Sequence, residues 1–125
     1  MSDSFLFKDL SYSIIGAAFR VHSTLGCGLP EHCYNRALFI ELTDSVHVSA
    51  VQQKLYDVHY AGSKVGHFFA DIVVDNSIIL ELKSDDRLTA SHESQLITYL
   101  TISGIRVGYL INFGVASLQF KRLVL

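Results

Sequence analysis

The chain has no tryptophan, one proline, one methionine, two cysteines and no apolar run approaching a membrane span. Each shortage excludes something. With its one proline at position 30 and no Pro/Ser-rich tract, it carries no linker composition to divide it into separate units. Cys27 and Cys33 lie six residues apart with His22 and His32 nearby, yet the set matches no zinc-ligand spacing, so two reduced thiols are expected. The longest apolar runs, such as Ala37-Leu38-Phe39-Ile40, fall far short of the roughly 20 residues a bilayer helix needs, and Met1-Ser2-Asp3-Ser4 lacks the positive region of a signal peptide. A soluble, cytoplasmic protein with no membrane partner is the expectation. An excess of positive charge is also missing. Ten Lys plus Arg against twelve Asp plus Glu give a net charge of −2, which argues against a strongly basic, non-specific nucleic-acid binder. A local basic patch is still allowed, because metal-binding acids lower the total by themselves.

What is present is a chain of 125 residues, 50% apolar, long enough for one domain over 1–125 with its own core. Leu10, Ile14, Ala17, Ala18, Val21 and Leu25 recur at helical spacing, and Gly26 with Gly28 ends that helix. Pro30 opens a second helix to about Thr43. Strands are predicted at Val46–Gln52, Lys54–Tyr60 and about Val65–Val74, then through Glu81. Thr89 or Ser91 caps a third helix to about Ile102, and strands at Ile105–Asn112 and Ser117–Val124 close the chain. A helix long enough to cross between parallel strands makes this an α/β domain on a mixed sheet.

The segment from Ala70 to Lys83 carries the chemistry. A three-residue turn at Asp75-Asn76-Ser77 pairs Val74 with Ile78 and Ile72 with Leu80, and then sets Asp71 against Glu81. A two-residue Asn76-Ser77 turn would send Glu81 to the other face, but Asp and Asn suit the left-handed backbone of the longer turn. Opposed carboxylates lie roughly 5 Å apart at Cβ and repel unless a cation sits between them. A hard divalent ion is the natural partner. Lys83 shares the face of Glu81 by alternation. A solvated charge face is the plainer reading of such residues, but the apolar residues on both sides of this hairpin place it near the centre of a sheet. Gln95 and Tyr99, one helical turn apart, share a face, as do Glu31 and Tyr34. By spacing alone Glu31 is a first-turn capping acid, Tyr34 a packing residue, and Gln95 with Tyr99 the polar edge of a helix. The six histidines show no ligand spacing. His92, on the face of Gln95, and His67, four residues before Asp71, are the two with any claim to the site.

Taken together, Gly28-x-x-Glu31-x-x-Tyr34, Asp71 with Glu81-x-Lys83, Gln95-x-x-x-Tyr99 and Leu110-Ile111-Asn112-Phe113-Gly114 resemble the small bacterial GxxExxY proteins. That family is assigned to the PD-(D/E)xK, or restriction-endonuclease-like, nuclease superfamily. The similarity runs from about Ile14 to about Leu123. It departs at Phe69, where the family often has arginine, and at Pro30. The resemblance implies a mixed sheet flanked by helices, with Asp71 and Glu81 as metal ligands, Lys83 as catalytic lysine, Glu31 as the helix-borne acid, and Gln95 and Tyr99 lining the site. It implies Mg²⁺ (or Mn²⁺), held also by the Leu82 carbonyl and by Glu31, which takes a metal-bound water or a second ion, and DNA or RNA as substrate for phosphodiester hydrolysis. Fold alone does not secure activity. The alternative is a non-catalytic module of the same fold that binds nucleic acid or a partner protein, as a homodimer through residues such as Leu123-Val124-Leu125. A nucleotide-processing site lacks a phosphate-cradling glycine loop.

Overall fold

The computed structural model describes residues 5–125; the Met1–Ser4 start lies outside them. Two helices come first, α1 (Lys8–Leu25) and α2 (Glu31–Ile40), and α2 runs on through a wider-turned π-helical stretch at Glu41–Val46. Five strands follow: β1 (Ala50–Tyr60), β2 (Ser63–Val74) and β3 (Ile78–Lys83), then, after helix α3 (Ala90–Ser103), β4 (Val107–Asn112) and β5 (Gln119–Val124). They form one sheet in the order β1-β2-β3-β4-β5. Only β3 and β4 are parallel, and α3 is the crossover that joins them.

Burial explains the arrangement. Every residue from Ile78 to Leu82 and from Val107 to Asn112 is buried, as two-sided coverage of a central parallel pair requires. On one face Ile72, Val74, Leu80 and Leu82 pack against Ile14, Ala17, Ala18 and Val21 of α1 and Tyr34 and Leu38 of α2. On the other, Val73 and Ile79 meet Leu96 and Leu100 of α3. No helix among the described residues is long and apolar enough to cross a membrane.

The hairpin register is the expected one, Ile72 to Leu80 and Val74 to Ile78, and Asp75 and Asn76 both take left-handed φ, at 50° and 52°. Three expectations are corrected. The predicted strand at Val46–Gln52 begins only at Ala50 and is continuous with the next, because Val46 ends the π-helical stretch and packs with Val48 against the core. The second helix therefore runs past Thr43. The third correction concerns alternation. Gln52 bonds to Asn35 of α2, whereas Tyr56 packs on the α3 side; likewise Ile72 faces the α1/α2 layer but Ala70 faces α3. The pleat inverts between these pairs, at Gln53, whose φ is 49°. His67 consequently does not share the site face. It is exposed, edge-on to Phe69 with ring centroids 5.6 Å apart.

The loop after β3 is pinned by β4. Asn112, fully buried, accepts from the Asp85 N–H at 3.0 Å and donates to the Asp85 carbonyl at 3.0 Å. Gly114 passes so close that a Cβ there would lie 2.5 Å from the Asp85 backbone N and O. Gly114→Ala is expected to cost about 1–3 kcal/mol in urea unfolding, because backbone cannot give way. Gly28→Ala, with nothing within 4 Å of the new Cβ, should stay within about 0.5 kcal/mol of wild type. Equal effects would contradict this packing.

Candidate active site

The ladder between β2 and β3 is regular from Val74–Ile78 to Ile72–Leu80 and then changes character. At the next pair, carboxylates replace carbonyls as acceptors. The Asp71 N–H donates to Glu81 Oε2 at 2.9 Å, and the Leu82 N–H donates to Asp71 Oδ2 at 2.8 Å. Each strand thus satisfies an amide with the other strand's acid, and two carboxyl groups are held together in the sheet. Glu81 is 3% exposed.

This confinement shows in the acids themselves. Burial, reinforced by the neighbouring Asp71 charge, pushes the Glu81 carboxyl from 4.5 up to about 8 against the opposing pull of the Asp71 N–H and Lys83. Burial also raises Asp71, while the Leu82 N–H, Lys83 and a Gln53 side-chain hydrogen bond act to lower it. Lys83, next but one to Glu81 on β3, donates from Nζ to Gln95 Oε1 of α3 at 3.1 Å. Tyr99, a turn further along α3, is raised by burial and by the Glu81 and Asp71 charges. Its ring stacks flat on Phe68 at 3.9 Å.

Glu31 stands at the rim. Its Oε2 accepts from the Ser84 N–H at 3.3 Å, directly after Lys83, and Ser84 Oγ donates to the Leu29 carbonyl at 3.1 Å. Glu31 lines a pocket of about 190 Å³ with His32, Asn35, Gln53, Asp71 and Leu82. Among the described residues no three His, Cys, Asp or Glu side chains converge as a ready-made metal cluster. The structure brings Asp71 and Glu81 together, Lys83 with Gln95, and Glu31 alongside. Tyr34 is a scaffold residue: its hydroxyl donates to the Gly26 carbonyl at 2.6 Å, accepts from the Leu29 N–H, and its ring stacks on Phe113 at 4.6 Å.

His92 takes no part in the site. Its Nδ1 accepts from the Thr89 N–H, closing a capping box at the start of α3, and Nε2 faces Asp85 Oδ2 at 3.0 Å. Residues that sequence reasoning missed are Asn35, whose Nδ2 donates to the Asp71 carbonyl, and Gln53. The signal at Gln53 is that it is the one residue between the predicted strands Val46–Gln52 and Lys54–Tyr60. A larger hollow of about 590 Å³ lies between α1 and α2, away from these acids, lined mainly by apolar residues with Ser23, Thr24 and the Arg20–Glu41 ion pair.

The chain belongs to the PD-(D/E)XK nuclease superfamily, whose family model matches residues 8–123. Among solved structures it is similar to the crystal structure of SSO0001, with a TM-score of 0.55 and 17% sequence identity over 89% of this chain. It spans 65% of the length of that chain, and the likeness shows a shared fold. A search of curated proteins gave no significant match.

The raised acids set a pH dependence. Glu81 titrates near 4.5 when unfolded and near 8 when folded, so between those values the folded chain keeps a proton that the unfolded chain releases. The resulting stability is fully present below about pH 4.5 and is lost as pH rises through about 8. In urea unfolding of metal-free protein, the midpoint should fall from pH 5 to pH 9. Glu81→Gln should remove most of that slope; a slope unaltered by the substitution would show that Glu81 is not its source.

Proposed function

We propose that this protein hydrolyses phosphodiester bonds in DNA or RNA with a divalent cation, Mg²⁺ (or Mn²⁺), and that Asp71, Glu81 and Lys83 are its catalytic residues. The observation that carries this is the pair of adjacent acids, Glu81 buried and Asp71 partly so, held by the Asp71 and Leu82 backbone amides, with a lysine two residues on. The donor set fits the ion. Two carboxylates with the Leu82 carbonyl form an all-oxygen group, and Mg²⁺ is commonly held by one or two carboxylates with water and substrate phosphate completing its shell. A cation there would neutralise the repulsion that raises Glu81 and supply Lewis-acid stabilisation of a phosphoryl oxygen.

The chain's own residues have separable tasks. Asp71 and Glu81 each commit one oxygen to a backbone amide, leaving the other for the cation. Lys83, steadied by Gln95, presents an ammonium to charge developing on the phosphate. Glu31, with Oε1 not used by Ser84, can accept a proton from water at the pocket rim. The raised Tyr99 hydroxyl keeps its proton at neutral pH and so serves as a donor to a phosphate oxygen. A pocket of about 190 Å³ admits a phosphate group but not a nucleotide, which favours a polymer lying across the opening over a small-molecule substrate. A non-catalytic, self-associating module has one observation in its favour: Phe120 and Val124 of the edge strand β5 are each 45% exposed.

The test is incubation of the protein with single- and double-stranded DNA and RNA, with Mg²⁺, with Mn²⁺ and with chelator. Cation-dependent cleavage is expected. Lys83→Ala should lower the rate by about 10²–10³-fold while leaving Mn²⁺ binding in place, whereas Asp71→Asn should lose both. Cleavage that survives chelation or Lys83→Ala would overturn the assignment.

A further inference from the structure

Gln53 is conformationally out of place. Among the described residues six non-glycines have positive φ: Phe7, His47, Ala61, Asp75 and Asn76 lie at turns or helix ends, and Gln53 alone lies inside a strand. An L-residue with a long side chain pays a steric penalty in this region, which is tolerated where surrounding structure enforces it, commonly at functional sites.

The surroundings show what the kink does. The flanking pairs Gln52–Ile72 and Lys54–Ala70 keep one register, which sets Gln53 across from Asp71, the point where the β2–β3 ladder also breaks. Ordinary alternation would send Gln52 and Gln53 to opposite faces. Instead Gln52 Nε2 bonds to Asn35 Oδ1 of α2 at 2.8 Å, and Gln53 lines the pocket shared by Asn35, Glu31 and Asp71. Asn35 in turn donates to the Asp71 carbonyl. The Gln53 side chain lines the same pocket wall as Asp71 and acts to lower that carboxyl against the rise that burial causes. Asp71 therefore has the Leu82 N–H of β3 on Oδ2 and Gln53 of β1 across from it on the other side.

We infer that Gln53 is a positioning residue for the acidic centre, and that the left-handed kink in β1 exists to aim its carboxamide at Asp71 so that this carboxylate is oriented for a divalent cation. The inference rests on the proposed cation site. A carboxamide suits the task because its N–H donates without adding charge to a pocket that already holds two acids, Glu31 and Asp71. Outer partners of a metal ligand commonly govern affinity by about 10–100-fold.

Two substitutions separate orientation from folding. Gln53→Gly accepts the left-handed backbone freely but has no carboxamide; Gln53→Asn tolerates it well, with an amide one methylene too short to reach. Both should melt at or above the wild-type temperature, or within about 3 °C below it, while calorimetric titration with Mn²⁺ shows affinity weakened by about tenfold. Wild-type affinity in both variants would overturn the inference and leave the cation site standing. So would weakened binding accompanied by a matching drop in melting temperature, since that reports general damage. No Mn²⁺ binding by the wild type would overturn the proposed site and this inference with it, an outcome plainly different from the first.

Discussion

The structure turns on an exchange of hydrogen-bond partners between β2 and β3. A regular antiparallel pair at Asp71 and Glu81 would bond carbonyl to amide and leave two charged side chains to find partners of their own. Here the carboxylates take the amides, 2.9 and 2.8 Å away, so the energetic requirement to satisfy buried backbone donors is met by the acids themselves. That makes burial of Glu81 tolerable, and it fixes both carboxylates without a bound ion. It also leaves an imbalance: two acids so close cannot both ionise easily, and the raised Glu81 carboxyl is the consequence. A cation between them would resolve it.

Around this centre, the residues that define the sequence motifs mostly build rather than react. Tyr34 ties the α1–α2 connection through Gly26 and Leu29 and stacks on Phe113 from the end of β4. Asn112 and Gly114 clamp the Ser84–Asp86 loop, and Glu31 and Leu29 hold Ser84 from the other side. All of these converge on the few residues after Lys83. The lysine is therefore set by a rigid neighbour, with Gln95 of α3 fixing its tip. Motif residues far apart in sequence serve one loop, which explains how a small chain can position a site shared by several elements.

The parts governed by short-range alternation were readable in advance. Ile72, Val74, Ile78, Leu80 and Leu82 could occupy one face in only one hairpin register, and Asp75-Asn76 supplied the turn, so the meeting of Asp71 and Glu81 followed. The amide exchange was not readable, because it depends on the ladder yielding at one pair. Gln53 escaped for a different reason: nothing in a glutamine announces a left-handed backbone, and the inversion it causes also moved His67 off the site face. The Val46–Val48 alternation mimicked a strand because both valines pack inward from an irregular segment. His92 has helix-face spacing toward Gln95 but is occupied by its own helix cap. In each case packing, backbone conformation or a cap, none of them visible in residue pattern, decided the outcome.

The central claim is that Asp71 and Glu81 form a cation site already shaped by their neighbours' amides. Crystals grown with Mn²⁺ and measured for anomalous scattering test it most directly. A single strong peak within coordinating distance of both carboxylates, with the Leu82 N–H still on Asp71 and the Asp71 N–H still on Glu81, is the predicted result. A map with no peak there at saturating Mn²⁺, or one whose only peak lies elsewhere, for instance beside His92 and Asp85, would contradict it.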